Sequence, residues 1–403
     1  MKLAVLSHRF PYPPDRGDCL TLLNLLRVVA PQHTVHLLSL SEREPHREGL
    51  RILEELGVEH RTVVLPRGRS MVQAGMALLT GGSMQLAYFQ SPEFAAAAAE
   101  LAAYGPFDCV LAHAVRVVPL AQRIPARRRV FMAFDCLSEH LRRAARHASL
   151  PTRLLLEEEA RRLARVEREG AEWADEVWMI SDEDARLFPT RHRSRLRVVR
   201  QGIGAAVEGA DWRPDGRTLL FVGRMDVRHN VEAARRLCQR VLPLVRRSLP
   251  HVGVRLVGAA PSARVQALSR LRGVEVTGPV RDLSREYANA AALVAPITFS
   301  TGVQNKVLEA AAAGLPVVTT TSAARGVGPA LAKFLDVSDS DEGLAEACVR
   351  LLRNPESARA RAEDARAAVR RVFRWGNMLE ALEQPHLRPL ADESSAGAGL
   401  LTG

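Results

Sequence analysis

Only three lysines, Lys2, Lys306 and Lys333, stand among 56 basic residues, and Lys306 falls inside Gly302-Val303-Gln304-Asn305-Lys306-Val307-Leu308-Glu309-Ala310. In a chain that otherwise uses arginine for its surface cations, a lysine between a glycine and a glutamate points to a need for a compact ammonium rather than a planar fork. The competing reading is a solvated helix face left over from compositional bias. The stretch from about Gly302 to Ala313 is helix-forming and is closed by Gly314 and Pro316, as helix ends commonly are. It follows an apolar run ending at Ala295-Pro296. Strand, glycine-containing loop and helix start together make an anion site, because unpaired N–H groups and the helix dipole point at the ligand. Lys306 and Glu309 share a helix face, as do Asn305 and Glu309. An ammonium beside phosphate and a carboxylate beside sugar hydroxyls is what a nucleoside diphosphate would require.

The elements that must hold this site follow one pattern twice. Short apolar runs at Lys2–Leu6, Thr34–Leu40, Val63–Leu65, Cys109–Ala112, Val130–Phe134 and Val177–Ile180 alternate with helical stretches. Buried strands alternating with helices predict a parallel sheet covered on both faces. Around Gln201-Gly202-Ile203-Gly204 and Trp212–Arg217 the chain turns to glycine, proline and charge, and the pattern then restarts at Thr218–Gly223, Val254–Gly258, Val274–Gly278, Ala292–Pro296 and Val317–Thr320. At 403 residues, two α/β domains are expected rather than one large sheet. The predicted organisation is a domain over 1–205, a second over 206–375, a helix over 376–390 packing back on the first, and a disordered tail over 391–403, rich in Ser, Gly and Ala.

Composition excludes several classes. The 47% hydrophobic and 25% charged content is that of an ordinary globular protein, and no apolar run approaches the ~18 residues of a spanning helix. The first residues carry too few apolar side chains for a signal-peptide core, so a cytoplasmic location is expected. Cys19, Cys109, Cys136, Cys238 and Cys348 are odd in number and widely spaced, which predicts buried reduced thiols rather than a disulfide framework or zinc site. A net charge of +11 and a pI near 10.2 raise a nucleic-acid reading. The arginines are instead interleaved with acids, as in Glu157–Glu169, and aromatics are only 5%. That is a salt-bridged helix face rather than a phosphate-tracking stripe or a stacking platform. An anionic small substrate or anionic membrane surface fits the excess charge better. Arg127-Arg128-Arg129 and Arg142-Arg143 are the basic clusters that could meet such a surface, or else ordinary solvated helix ends.

The nonamer resembles the signature of retaining, nucleotide-sugar-dependent glycosyltransferases of the two-Rossmann-domain (GT-B) fold, the large family-four group. The resemblance runs from Met1 to about Leu382. It implies a fold of two Rossmann-like domains whose parallel sheets face across a cleft. In that family two glutamates separated by seven residues open this helix. The second, expected to hold the ribose, matches Glu309, while Thr301 occupies the place of the first, which usually contacts the donor sugar. The wording Gln304–Ala310, together with Arg9-Phe10-Pro11-Tyr12-Pro13-Pro14-Asp15-Arg16-Gly17-Asp18, is similar to the glycosyltransferases associated with exosortase and PEP-CTERM protein-sorting systems.

Carried over one at a time, the resemblance implies that Gly17 lets backbone approach the donor phosphates and that His113 stands near the donor sugar. Gly223-Arg224 matches the Gly-Arg pair whose arginine reaches the diphosphate. The companion lysine a few residues on is absent, Arg228, His229 and Asn230 standing there, so Lys306 carries more of the neutralisation. Gly278 to Val280 matches the loop whose backbone reads the base, and Gly302, Val303 and Asn305 line the donor side of the signature helix. Catalysis is then expected from His113, Lys306 and Arg224.

Asp182-Glu183-Asp184 and Asp339-Ser340-Asp341 have a metal-site spacing, but each follows a serine and opens a helix. Helix capping is the preferred reading, and no metal and no cofactor are expected beyond the nucleotide-sugar substrate. The function expected is metal-independent transfer to a glycan or lipid-linked acceptor in surface or exopolysaccharide assembly. Peripheral contact with the inner face of the cytoplasmic membrane and no nucleic-acid partner go with it. The alternatives are a nucleotide-sugar 2-epimerase of the same fold, which needs carboxylates and histidines around the sugar, and a basic nucleic-acid-binding protein.

Overall fold

The computed structural model of the chain describes residues 1–14, 16–146, 148–204, 207, 212–298 and 303–384. Asp15, Thr301, Gly302 and the tail from Ala391 lie outside the described residues. The chain divides into two units: Met1–Ile180 with Asp184–Val199 and the segment from Trp375, and Arg200–Arg374 with Ser181–Glu183.

The first unit is built on seven parallel strands, β1 (Lys2–Ser7), β2 (Thr34–Ser41), β3 (Glu59–Val64), β4 (Phe107–His113), β5 (Ala126–Phe134), β6 (Glu176–Met179) and β7 (Leu196–Val198), in the order β3-β2-β1-β4-β5-β6-β7. The period-2 alternation of strands divides their side chains between two cores. Ala4, Leu6, Val110 and Ala112 pack on one face, and Leu3, Val5, Cys109 and Leu111 on the other. Each fully buried leucine there contributes about 1.5–3 kcal/mol. The second core is completed by Met378, Ala381 and Leu382 of the helix Gly376–Glu383. Arg128 and Arg197 bind that helix's last turn, donating to the Ala381 carbonyl at 3.0 Å each, which supplies partners for carbonyls a helix end otherwise leaves open.

The basic clusters read differently in three dimensions. Arg127, Arg128 and Arg129 belong to β5 rather than to a helix end. Arg128 pairs with Glu176 and Arg129 with Asp175 at 2.7 Å, while Arg142 and Arg143 lie 3.4 and 3.5 Å from Glu139. The five cysteines are free and buried.

The second unit has six parallel strands, β8 (Thr218–Val222), β9 (Gly253–Val257), β10 (Val274–Gly278), β11 (Ala292–Ala295), β12 (Val317–Thr319) and β13 (Asp336–Val337), in the order β10-β9-β8-β11-β12-β13. The strands β7 and β13 were not foreseen: they are edge strands of three and two residues, too short to show a period. The acidic clusters also differ from expectation in detail. Ser340, not Ser338, caps the helix Asp341–Arg353 by accepting from the Gly343 N–H. Asp341 pairs with Arg236 at 2.6 Å and Arg240 at 2.5 Å, and Asp182 pairs with Arg200.

In both sheets the order reverses beside the first strand of the unit, between β1 and β4 and between β8 and β11. Such switch points leave a crevice at the carboxyl ends of the strands where ligands of open α/β sheets bind. The segments that leave those four strand ends are therefore the places to look for chemistry.

Candidate functional site

In the second unit, β8 ends at Val222 and the chain passes through Gly223 and Arg224 to the helix Arg228–Arg236. The Gly223 N–H donates to the Val257 carbonyl at 3.0 Å, and a Cβ on Gly258 would stand 1.9 Å from the Gly223 carbonyl oxygen. The two strand exits can approach this closely only with a glycine at position 258. A Cβ on Gly223 itself would lie 2.9 Å from the Asn230 amide nitrogen.

Asn230 joins this exit to the Lys306 helix, Asn305–Ala312, which follows β11. Its Nδ2 donates to the Arg224 carbonyl at 3.0 Å, and its Oδ1 accepts from Lys306 Nζ at 3.1 Å. The same ammonium donates to Gln304 Oε1 at 3.0 Å and lies 5.6 Å from the Phe221 ring centroid. Lys306 is 8% exposed, so it occupies no solvated helix face. Burial pulls it down to about 8, with the Glu309 carboxylate opposing. An ammonium carries three donors, and two are used among the described residues. The helix begins without a side-chain cap; the Val307 N–H donates to the Gln304 carbonyl at 2.9 Å, so the Asn305 and Lys306 N–H groups depend on the loop or a ligand.

Glu309 accepts from the Tyr287 hydroxyl at 2.7 Å. Burial raises its pKa, while the Tyr287 hydrogen bond and Lys306 pull the other way. Asn305 Oδ1 accepts from Gln201 Nε2 at 2.6 Å. His229 is held down to about 4, first by burial and then by the charge on Lys306. Arg224 lies 2.9 Å from Asp226. Gly278 ends β10 at φ +71 with open space where a Cβ would go, so its conformation alone asks for glycine. Val280 and Val303 pack half-buried on the second unit's core. The second unit thus brings Gly223, Arg224, Lys306 and Glu309 to one end of its sheet.

In the first unit, His113 closes β4 directly opposite Ser7 of β1, and its Nδ1 lies 3.4 Å from Ser7 Oγ. The Phe134 ring stands edge-on to it at 4.4 Å. Ala114 (φ 77) and Phe134 (φ 64) sit in backbone conformations unusual for side-chain-bearing residues, and such strain gathers at functional edges. Next to His113 lies a cluster that sequence reasoning did not single out. His8 Nε2 is 3.1 Å from Asp18, which also binds Arg9, and Arg116 Nη1 is 3.3 Å from the same nitrogen. Arg116 further donates to Gln85 Oε1 at 2.9 Å. Burial holds His113 down to about 3 and His8 to about 4, so both imidazoles are neutral. Burial alone would raise Asp18, but His8 and Arg9 drive it well below the carboxylate range. Gly17 opens the helix Gly17–Val29, its carbonyl taking the Thr21 hydroxyl at 2.7 Å. His113 Nε2 and His8 Nδ1 are buried without a partner among the described residues, which leaves two neutral ring nitrogens for hydroxyl groups of a ligand.

Sequence reasoning missed Asn230 as a contact, Tyr287, and the His8–Asp18–Arg116 cluster. The first had a signal, since Asn230 falls where a second phosphate-binding lysine was sought.

Residues 216–354 match the family described as "Glycosyl transferases group 1". The chain is a glycosyltransferase. The matched stretch contains Gly223, Arg224, Gly278, Val280, Val303, Asn305, Lys306 and Glu309. Solved structures of similar fold include HepE of Anabaena in complex with UDP, at 14% identity and TM-score 0.66 over 95% of this chain and 98% of that one. HepE in complex with UDP-glucose aligns at 15% identity and TM-score 0.64, over 95% and 99%. WaaG, a glycosyltransferase involved in lipopolysaccharide biosynthesis, aligns at 19% identity and TM-score 0.66, over 94% and 98%. The shared architecture of two parallel sheets is the GT-B fold. No curated protein matches this glycosyltransferase in sequence.

Proposed function

We propose that this enzyme is a retaining, metal-independent glycosyltransferase that takes a sugar from a nucleoside-diphosphate donor. The observation that carries the reading is the inward-turned Lys306, an ammonium buried at the uncapped start of a helix beside the sheet's switch point. Breaking a sugar–diphosphate bond leaves negative charge on the diphosphate, and fixed positive groups there stabilise the transition state. Lys306, Arg224 and the first-turn amides of the Lys306 helix supply them. Glu309, steadied by Tyr287, faces the ribose hydroxyls, and the backbone from Gly278 to Val280 faces the base. His113, neutral at working pH, orients the sugar, and Gly17 leaves room for phosphate. Gly302, Val303 and Asn305 complete the donor side. The departing phosphate accepts the proton of the attacking hydroxyl, and the reaction needs no protein nucleophile and no cofactor. The structures of HepE with UDP and UDP-glucose support a donor of this chemical class.

The acceptor in this reading is a glycan or lipid-linked sugar of surface or exopolysaccharide assembly, in the setting of exosortase and PEP-CTERM systems suggested by Gln304–Ala310 and Arg9–Asp18. The site of action is the inner face of the cytoplasmic membrane. No helix among the described residues is long and apolar enough to span a membrane, so contact would be peripheral. The helix Arg67–Thr80 supports this: Met71, Val72, Met76 and Leu79 are exposed, Leu79 by 90%, and no charge stands between Ser70 and Thr80. Exposed apolar side chains on one helix suit insertion at a lipid interface.

The test is a thermal-shift screen against nucleotide sugars, followed by turnover with the stabilising donor. Retained anomeric configuration and unchanged turnover in EDTA are the expected results. An inverted product removes the retaining assignment, loss of turnover in EDTA removes metal independence, and isomerisation of the donor sugar without acceptor makes the enzyme an epimerase. Co-sedimentation with phosphatidylglycerol vesicles should be lost in the Met76→Gln/Leu79→Gln variant, and retention there would refute this membrane face.

A further inference from the structure

We propose that Asn230 is a positioning residue of the donor site, whose side-chain amide locks the Lys306 ammonium to the Gly223-Arg224 turn. The inference rests on the donor reading above but makes its own claim about one residue. Three observations carry it. Asn230 is buried, 5% exposed, and its amide fills the space that a Cβ on Gly223 would take, so it cannot shift toward β8. Its Nδ2 donates to the Arg224 carbonyl and its Oδ1 accepts from Lys306. Only one amide orientation serves both partners: flipped, it would set oxygen against carbonyl and NH2 against ammonium. The two contacts therefore fix each other, and they tie the strand exit on one side of the switch point to the helix on the other.

This contact has a consequence for charge. The acceptors for the buried ammonium are two neutral amide oxygens, those of Asn230 and Gln304. Glu309 lies one turn along the Lys306 helix and accepts from the Tyr287 hydroxyl at 2.7 Å. His229 precedes Asn230 and is neutral above pH about 4. Arg224 and Asp226, paired at 2.9 Å, occupy the turn itself. Of these, Glu309 alone raises Lys306, against the larger effect of burial. Asn230 thus decides how readily the ammonium survives in its pocket, and hence how much positive charge meets a diphosphate at a given pH.

Because the chain has three lysines, a sample labelled at lysine Cε and Nζ gives a spectrum simple enough to titrate Lys306 directly, with Lys306→Met supplying the assignment. The apparent pKa of Lys306 would be measured in the wild-type enzyme, in Asn230→Leu and in Asn230→Asp, alongside binding of inorganic pyrophosphate and UDP from pH 6.5 to 9.5. Removal of the amide oxygen should lower the Lys306 pKa and a carboxylate in its place should raise it, each by about one unit or more, and the alkaline loss of pyrophosphate affinity should move in the same directions. A merely structural asparagine would weaken folding in both variants without moving Lys306 in opposite directions. An unmoved Lys306 pKa with pyrophosphate still bound overturns the role of Asn230. Opposite shifts in an enzyme that binds neither probe leave that linkage standing and overturn the donor site instead. Should Asn230→Leu not fold, the sign of the Asn230→Asp shift decides.

Discussion

Gly223→Ala probes the packing on which the donor end depends. The new methyl would sit 2.9 Å from Asn230 Nδ2, 3.0 Å from its Cγ and 3.2 Å from its Oδ1. Ordinary contact would require the amide to withdraw by roughly half an ångström, as overpacked cores relax. Its bonds to the Arg224 carbonyl and Lys306 Nζ, at 3.0 and 3.1 Å, would then stretch to the edge of the useful range. Overpacking costs about 1–3 kcal/mol, and two weakened hydrogen bonds bring the expected loss to about 2 kcal/mol. For units of this size that lowers Tm by about 4–8 °C. The assay is thermal denaturation of Gly223→Ala, Asn230→Ala and the double variant. If the clash is with Asn230, the double variant melts no lower than Asn230→Ala alone, a coupling that a double-mutant cycle isolates. Simple addition of the two losses would refute the reasoning.

Tyr287→Phe leaves the buried Glu309 carboxylate without its 2.7 Å donor and should cost about 1–3 kcal/mol. The loss in Tm should shrink as pH falls, because a protonated Glu309 no longer needs that donor; a loss constant across pH would contradict the contact. Asp184→Asn tests the first unit's His140, which Asp135 and Asp184 raise to about 10 even though burial opposes them. A histidine raised in the folded state contributes stability that is complete below its ordinary pKa of about 6.5 and is lost as pH rises through about 10. The melting gap between wild type and Asp184→Asn, worth up to about 3 kcal/mol, should therefore be widest below pH 6.5 and close towards pH 10. A gap independent of pH would remove the charge from the explanation.

Much of this site was legible because it depends on local sequence. The alternating apolar runs place β1 to β6 and β8 to β12, since a buried parallel strand must be apolar on both faces. Lys306 was visible through its rarity and its place at a helix start, and Glu309 through its helical spacing from it. What stayed hidden are contacts between distant segments. Asn230 and Lys306 are 76 residues apart, Tyr287 and Glu309 are 22, and Arg116 and His8 are 108; no periodicity reports such pairs. The Arg127–Arg129 run misled for the same reason, because its carboxylate partners Glu176 and Asp175 come from a later part of the chain. Asp184 has an acidic residue's appearance at a helix start, yet it lies 3.2 Å from His140.

In the proposed reaction Lys306 is the ammonium that meets the donor diphosphate. Calorimetric titration of UDP into wild-type enzyme and Lys306→Met at pH 7 tests it most directly. Loss of one charge-assisted hydrogen bond of about 1.5–3 kcal/mol should weaken binding by at least about tenfold, with the variant's fold intact by circular dichroism. Equal affinity in the two proteins would contradict the claim.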